Sequence, residues 1–432
     1  MPTVYIETYG CQMNVADTEL ILGTLGQHGY ERVDAPDTAD VILLNTCAIR
    51  EHAESRVIGR LRDLGHHKTS RPDVRIGVTG CMAQHLRDKL RDAAPHVDLL
   101  VGPDGYRHLP ALLADDMDPH VGLRLDPAET YADLPIAREG GVRAWVTIMR
   151  GCDRFCTFCI VPYVRGRERS LPGPVLVDQV RRLADAGVRE VVFLGQTVNA
   201  YRDADWDFAR LLRETAAVPG LRRIRFTSPH PAEMSDAVID AMADCDAVMP
   251  QMHLPVQSGS DAVLSRMARD YTVAAYERLV ERLRTRVWGL ALSTDIIVGF
   301  PGESDEDFAA TAALMERVGY DAAFLFKYSP REGTRAFKWT DDVPEAEKAR
   351  RLERLIALQE RTSAERNRAL IGSTVEVLVE GPAKRPAGAV TGKSRDFRTI
   401  VHPGPAAPGD VVTVRIEGAT SHTLTGRRET TA

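Results

Sequence analysis

Met149-Arg150-Gly151-Cys152-Asp153-Arg154-Phe155-Cys156-Thr157-Phe158-Cys159-Ile160-Val161-Pro162-Tyr163 carries three cysteines spaced C-x3-C-x2-C, with no fourth close by. A closed structural zinc site wants four ligands. A ferredoxin-type run also brings a fourth cysteine. Three thiolates on one short loop can instead hold three irons of a 4Fe-4S cube and leave the fourth iron open. An open metal position marks catalysis rather than scaffolding. Two plainer readings stand beside this one. Free cysteines can be small buried hydrophobes, and a zinc knuckle can recruit a distant ligand. Asp153, Arg154, Arg165 and Arg167 make the surrounding loop polar, which weighs against a packed strand.

Outward from this loop the chain alternates strand and helix. Strands are expected at 144–149, 190–194, 222–227, 248–254, 290–298 and 322–328, and helices near 175–186, 207–216, 235–243, 273–285 and 305–318. Six βα units over about 200 residues suit a partial barrel, whose chemistry sits at the strand C-terminal ends. The cysteine loop follows the first of these strands. Other strand ends carry Gly195-Gln196-Thr197-Val198-Asn199, Thr227-Ser228-Pro229-His230-Pro231, Leu254-Pro255-Val256-Gln257-Ser258 and Asp295 through Gly299. Turn residues at strand ends are routine, and His230 and His253 read as structural hydrogen-bonding residues.

The first third also alternates. Strands are expected at 4–8, 40–45 and 74–79, and helices at 17–26 with Asp17 as cap, 50–64 and 84–92. Such alternation predicts a doubly wound parallel sheet. Cys11, Cys47 and Cys81 each follow one strand, 36 and 34 residues apart. The ends of parallel strands share one edge, where ligands bind, so these three should converge. Gly10 and Gly80 precede two of them and allow tight turns. Cys245 lies in an apolar helical stretch and reads as structural. Residues 118–137, within a stretch rich in Asp, Pro and Gly, read as a linker.

After 341 a charged helix is expected to about 370, with a solvated face and a spacer's role. Alternating runs at 374–379 and 411–416, with Gly and Pro turns, then suggest a small antiparallel β-barrel. Residues 372–432 hold eight Lys or Arg against six Asp or Glu, a formal +2 in a chain that is −6 overall. Lys384, Arg385, Lys393, Arg395 and Arg398 gather on two expected loops beside Phe397. Basic residues next to an aromatic suit phosphate contact and base stacking.

At 432 residues the chain is too long for one core. Its 44% hydrophobic and 27% charged content is that of a globular protein. No apolar run approaches the ~18 residues of a membrane span. Nor is there a signal-peptide pattern, so a cytoplasmic location is expected. Seven cysteines are an odd number, and clustered cysteines in a reducing compartment point to metal or catalysis.

The cysteine-loop spacing is the signature of the radical S-adenosylmethionine (SAM) enzymes. With the other motifs the chain resembles the radical SAM methylthiotransferases along nearly its whole length. The matching stretches are Tyr9-Gly10-Cys11-Gln12-Met13-Asn14, Asn45-Thr46-Cys47-Ala48-Ile49-Arg50-Glu51, Gly80-Cys81-Met82-Ala83-Gln84, Arg150 through Arg169, and His253 through Ser260. Gln12-Met13-Asn14 and Arg50-Glu51 look like the isopentenyladenosine branch. One departure is Glu332, where the family favours proline, and it bears on local loop shape.

The resemblance implies three domains: 1–117, a methylthiotransferase domain on a doubly wound sheet; 138–368, a partial (βα)6 radical SAM barrel; and 371–430, a TRAM β-barrel that binds RNA. It implies two [4Fe-4S] clusters, one on Cys152, Cys156 and Cys159 that binds SAM, the other an auxiliary cluster on Cys11, Cys47 and Cys81. Gln196, Ser228, Gln257, Asp295 and Gly299 are candidates for holding SAM. Lys384, Arg385, Lys393, Arg395 and Arg398 are candidates for RNA. The implied partners are a tRNA carrying N6-isopentenyladenosine, an electron donor such as flavodoxin or ferredoxin, and a sulfur source, with the chain a monomer and no membrane involved. The same chemistry on threonylcarbamoyladenosine or a ribosomal-protein aspartate is the nearest alternative. A non-catalytic iron–sulfur RNA-binding protein is the alternative of another class.

Overall fold

The computed structural model describes residues 1–48, 51–138 and 140–429. Ile49 and Arg50 of the Asn45-to-Glu51 stretch, and Thr430 at the end of the expected tail domain, lie outside the described residues.

Strands β1 (Thr3–Thr8), β2 (Glu31–Arg32), β3 (Val41–Thr46), β4 (Arg75–Gly80) and β5 (Leu99–Val101) form one parallel sheet in the order β2-β1-β3-β4-β5. Helices α1 (Gln12–Gln27), α2 (Glu51–Leu64), α3 (His66–Ser70), α4 (Cys81–Leu86), α5 (Asp88–Ala93) and α6 (Leu109–Leu113) connect and follow them. Every residue of β3 is buried, as a continuous apolar run demands when both faces are covered. The winding direction reverses between β1 and β3, which makes the edge beyond their C-terminal ends the ligand crevice.

Three local expectations change. Helix α1 starts at Gln12 rather than Asp17, because Asn14 Oδ1 accepts from the Cys11 backbone N–H at 3.4 Å and closes the first turn. Asp17 is thereby fully buried inside the helix. The helix expected at 84–92 is two short pieces, broken at Arg87, whose φ is +46°. Segment 118–137 is packed rather than a free linker. Tyr131 is buried, stacks on Tyr106 and donates to the Pro103 carbonyl at 3.0 Å. Arg107 grips both Glu129 and Asp133 at 2.7 Å. These anchors are few, so a composition dominated by Asp, Pro and Gly concealed them.

The central unit opens with β6 (Arg143–Thr147). A short antiparallel clamp, β7 (Met149–Arg150) with β8 (Arg169–Ser170), then brackets the cysteine loop and α7 (Val161–Arg165). Next come α8 (Gly173–Asp185), β9 (Glu190–Leu194), the hairpin β10 (Arg202–Asp203) and β11 (Trp206–Asp207), α9 (Phe208–Ala216) and β12 (Arg223–Phe226). The second half runs α10 (Asp236–Asp244), β13 (Gln251–His253), α11 (Asp261–Arg266), α12 (Val273–Arg286), β14 (Ala291–Val298), α13 (Asp305–Val318), β15 (Ala322–Lys327) and α14 (Glu345–Arg368). Parallel trios β6-β9-β12 and β13-β14-β15 join through a parallel bridge from Ile224 to Val248, giving the six-stranded partial barrel. Side chains of Asp207, Ser235, Ser260, Thr272 and Ser304 accept from the third residue of the helix that each precedes, satisfying otherwise orphaned N–H groups.

Helix α14 is more than a solvated spacer. Its Lys348 and Arg351 are buried, Arg351 pairs with Glu303 at 2.8 Å, and Gln359 donates to the Tyr320 carbonyl at 2.9 Å. Glu332 ties its loop to the N-terminal unit: its carbonyl accepts from His85 at 2.9 Å, and its carboxylate pairs with Lys89. Among the described residues no helix is long and apolar enough to cross a membrane.

The tail strands β16 (Thr374–Pro382), β17 (Ala389–Ser394), β18 (Thr399–Pro403), β19 (Val411–Ala419) and β20 (Thr423–Arg428) close a barrel in the order β16-β17-β18-β20-β19. Only β18 and β20 pair in parallel. Two arginines of β12 fasten this barrel to the central one. Arg223 donates to the Lys393 carbonyl at 2.7 Å and Arg225 to those of Ser394 and Arg395 at 2.8 and 2.9 Å. Arg225 also shares fully buried Glu190 with Arg143. Removing one member of a buried ion pair costs about 3–5 kcal/mol. Arg225→Ala is therefore expected to lower thermal stability by that order and to expose the 368–374 junction to limited proteolysis. Unchanged melting and cleavage would contradict this role.

Candidate active site

Cys11 follows β1, Cys47 follows β3 and Cys81 follows β4. These strands are neighbours in the sheet, so the three cysteines converge as their spacing predicts. Two glycines permit the approach. A Cβ on Gly10 would lie 2.7 Å from the Cys47 Cβ, and one on Gly80 2.4 Å from the Thr46 carbonyl oxygen. Gly80 also has φ +91°, a left-handed conformation that L-residues resist. Asn14 and Asn45 lock the turns together: Asn14 Nδ2 donates to the Thr46 carbonyl at 3.0 Å and Asn45 Nδ2 to the Asn14 carbonyl at 2.8 Å. The Cys11 thiol is brought down to about 6, first by its hydrogen bond from Cys47, and then further by the Arg165 charge working against burial. Burial pushes the Cys81 thiol up.

The second trio sits opposite. Cys152 Sγ lies 3.4 Å from the Thr197 hydroxyl, and Arg269 Nη1 donates to Cys156 Sγ at 3.5 Å. Burial raises Cys152, and pushes Cys159 to about 12. Thiols held neutral by burial give up their protons when a cation binds. Ala48 and Cys81 pack on Ile160 and Val164, which brings the two cysteine loops face to face. Met13 and Ala16 of α1 pack on Val192 and Leu194 inside the partial barrel. All six cysteines line one cavity of about 660 Å³, within the ~300–1,000 Å³ of small-molecule sites.

Behind the two trios lies a cluster of charges that sequence reading missed. Asp17 Oδ1 accepts from Arg150 and Oδ2 from Arg165, each at 2.8 Å, and Tyr106 donates to Asp17 at 3.3 Å. Arg165 Nε donates to Cys81 Sγ at 3.1 Å. A signal was present: Met13, Leu20 and Ile21 stand at helical spacing from Asp17, which puts the aspartate on the apolar face.

Of the strand-end candidates, Gln196, Ser228, Gln257 and Asp295 line the cavity. The Gln196 side-chain Oε1 is buried with no partner among the described residues. Ser228 and Gln257 hold φ of +61° and +70°, strain of the kind that collects at functional sites. Asp295 lies 3.3 Å from His253 Nε2. Gly299 is the exception, and the expectation for it is corrected. A Cβ there would meet Lys348 Cγ at 2.3 Å, so its openness admits the lysine of α14 rather than a ligand. His230 contributes more than expected. Its Nδ1 accepts from the Ala232 N–H at 3.2 Å, so Nε2 carries the proton and is left buried at the cavity wall without a partner among the described residues. Burial, then Arg269 and Arg154, hold this imidazole near 2, so it is neutral.

The basic tail residues separate into two groups. Lys384 and Arg385 are exposed. Lys393, Arg395 and Arg398 are engaged within the chain. Lys393 donates to Thr399 at 2.7 Å, Arg395 pairs with Asp246 at 2.7 Å and Arg398 with Asp321 at 2.5 Å. Phe397, at φ +71°, is ringed by Arg143, Arg225 and Lys393 at 5.2, 4.7 and 4.7 Å from its centroid. Phe397 and Arg398 line the same cavity as the cysteines. Cys245 lies apart from both trios, at the end of α10 and half-buried.

The donor sets fit iron–sulfur groups. Each trio consists of thiols alone, the ligand that selects iron–sulfur clusters or zinc. Among the described residues the trio with ligand atoms within 4.8 Å of one another is Asp37, His66 and His67. Gly80→Ala forces a Cβ into the Thr46 carbonyl at a left-handed φ, which costs about 1–3 kcal/mol. It is expected to lower the melting temperature and the iron taken up at Cys11, Cys47 and Cys81, with iron at the second trio retained.

Models of three families match the chain: Uncharacterized protein family UPF0004 at residues 3–102, the Radical SAM superfamily at 146–315 and the TRAM domain at 368–427. The tRNA-2-methylthio-N(6)-dimethylallyladenosine synthase of Chlorobium limicola is 45% identical over 428 residues, covering 98% of this chain and 97% of its own. That of Jannaschia sp. is 46% identical over 435 residues, covering 98% and 93%. That of Mycobacterium ulcerans is 44% identical over 442 residues, covering 98% and 83%. Among solved structures, the radical S-adenosylmethionine methyltransferase TsrM of Kitasatospora setae has a TM-score of 0.59 at 15% identity, over 76% of this chain and 72% of that one. The cobalamin-dependent radical enzyme OxsB has a TM-score of 0.56 at 14% identity, over 84% and 61%. Both likenesses are of fold. Since the sequence identities extend over almost the full length, the chain belongs to the radical SAM methylthiotransferases, in the group of the tRNA-2-methylthio-N(6)-dimethylallyladenosine synthases.

Proposed function

We propose that this chain methylthiolates carbon 2 of N6-isopentenyladenosine at position 37 of tRNA, giving 2-methylthio-N6-isopentenyladenosine. The observation that carries the reading is that both cysteine trios and the tail's Phe397 and Arg398 open onto one cavity. Carbon 2 of adenine is not acidic, and a thiolate cannot displace hydride from it. A radical route avoids both obstacles, and cofactors carry such chemistry. Membership of the radical SAM superfamily implies a [4Fe-4S] cluster and SAM. The finer assignment is two clusters, on Cys152, Cys156 and Cys159 and on Cys11, Cys47 and Cys81. When bound, they and SAM supply the 5′-deoxyadenosyl radical, the sulfur and the methyl group.

The chain's own residues bind, orient and exclude water. Gln196, Ser228, Gln257 and Asp295 are assigned to SAM, joined by His230, whose neutral Nε2–H is a free donor. Arg269 and Thr197 hold the Cys156 and Cys152 sulfurs by hydrogen bonds. The adenine leaves the anticodon-loop stack to enter the cavity, as enzymes acting on a base require. Phe397 offers it a face for stacking. Lys384 and Arg385 contact phosphates, and Lys393, Arg395 and Arg398 fix the loop that presents Phe397. The domains on this reading are 1–117, 138–368 and 371–430, joined by 118–137. A low-potential electron donor such as flavodoxin or ferredoxin, a sulfur source, a monomeric state and a cytoplasmic location complete it.

Nucleoside analysis of tRNA from a deletion strain tests the substrate. The 2-methylthio-N6-isopentenyladenosine peak should vanish and N6-isopentenyladenosine accumulate, and an undiminished peak would sink the proposal. Anaerobic protein should hold about eight irons per chain. Cys156→Ala is expected to abolish 5′-deoxyadenosine formation from SAM and dithionite. Cys47→Ala should retain that cleavage but insert no sulfur, with each variant losing about half the iron.

A further inference from the structure

Arg165 belongs to α7 of the central unit, yet its closest sulfur is Cys81 of the N-terminal unit. Its Nε donates to that sulfur at 3.1 Å, its Nη2 donates to Asp17 at 2.8 Å, and its Nη1 is buried with no partner among the described residues. The remaining Asp17 oxygen is taken by Arg150. Two guanidinium groups thus face one carboxylate where the three side chains are 0–4% exposed. Asp17 alone balances only one of the two buried guanidinium charges, so a further anion is called for beside them. Arg150 is partly relieved by the Tyr131 ring, 4.7 Å away. Arg150 Nε and Nη1 are likewise buried without a partner among the described residues, but of the two arginines it is Arg165 that borders the cavity and touches a cysteine sulfur.

We infer that Arg165, held in place by Asp17, is a positioning residue that stabilises the reduced state of the iron–sulfur group at Cys11, Cys47 and Cys81. This rests on the proposed reading that the trio holds such a group. A core ligated by three thiolates is anionic, and one added electron makes it more so. A fixed positive charge and a hydrogen bond to a ligating sulfur both favour the more negative state, and such contacts tune cluster potentials. Asp17 acts in the opposite direction, since its carboxylate offsets part of the charge while it aims the guanidinium at the sulfur.

The test isolates this group. In the full chain carrying Cys152→Ala, Cys156→Ala and Cys159→Ala, the remaining trio is reconstituted anaerobically. It is titrated with dithionite and followed by EPR. Adding Arg165→Gln should shift its midpoint to lower potential, and Asp17→Asn to higher potential. Arg165→Lys, which keeps the charge but loses the Nε contact, should fall between the parent and Arg165→Gln. In the chain with all six cysteines, Arg165→Gln should move only the EPR signal that SAM leaves unperturbed. An unchanged midpoint in Arg165→Gln with full iron content would overturn the inference alone. Loss of the iron from Arg165→Gln and Arg165→Lys alike would assign a purely structural role and overturn it too. A parent that binds no iron–sulfur group would overturn the reading of the trio, and this inference with it.

Discussion

The architecture depends on one helix end placed across the mouth of a barrel. α1 is capped by a cysteine, sends Met13 and Ala16 into the apolar wall formed by Val192 and Leu194, and lodges Asp17 between two arginines of the neighbouring unit. Apolar contact alone would allow α1 to slide. The paired carboxylate does not, because any displacement leaves a buried guanidinium unsolvated. The two cysteine loops come from sheets with no strand in common, and this contact sets their mutual position. The Arg169–Asp104 pair, likewise buried at 2.8 Å, repeats the device on the other side of the cysteine loop.

What was legible in the sequence followed from period and spacing. β3 announces itself as a continuous apolar run, and Cys11, Cys47 and Cys81 each mark the end of a strand. Parallel topology then brings them together without knowledge of any side-chain contact. Charges behaved otherwise. Asp17 read as a cap and Arg165 as loop polarity, because a charged residue in a sequence does not reveal its partner. Their partners lie 133 and 148 residues away in the chain. Gly299 failed for a related reason. A glycine signals that something approaches closely, and the approaching group was Lys348 from a helix some fifty residues on.

The tail illustrates how composition can point to the right region for an incomplete reason. Lys393, Arg395 and Arg398 read as a free basic surface, but Asp246 and Asp321 claim two of them, and a threonine hydroxyl the third. Their collective effect is to hold Phe397 in a left-handed conformation against the central barrel. Basic residues there build a wall, while the exposed Lys384 and Arg385 remain available to solvent.

That wall is made after both cysteine trios. Cys11, Cys47 and Cys81 lie within the first 81 residues, and their sheet needs nothing beyond residue 101 to form its hydrogen-bonded ladder. Cys152 to Cys159 follow while the rest of the barrel is still unmade. Phe397, Arg398, Ser421 and His422 reach the cavity only after the central barrel has been made, and domains generally fold in the order they emerge. The growing chain therefore carries all six thiols before the tail residues that line the same cavity are made. Residues made far apart in time thus share one cavity, and its lining is complete only once the tail barrel has docked.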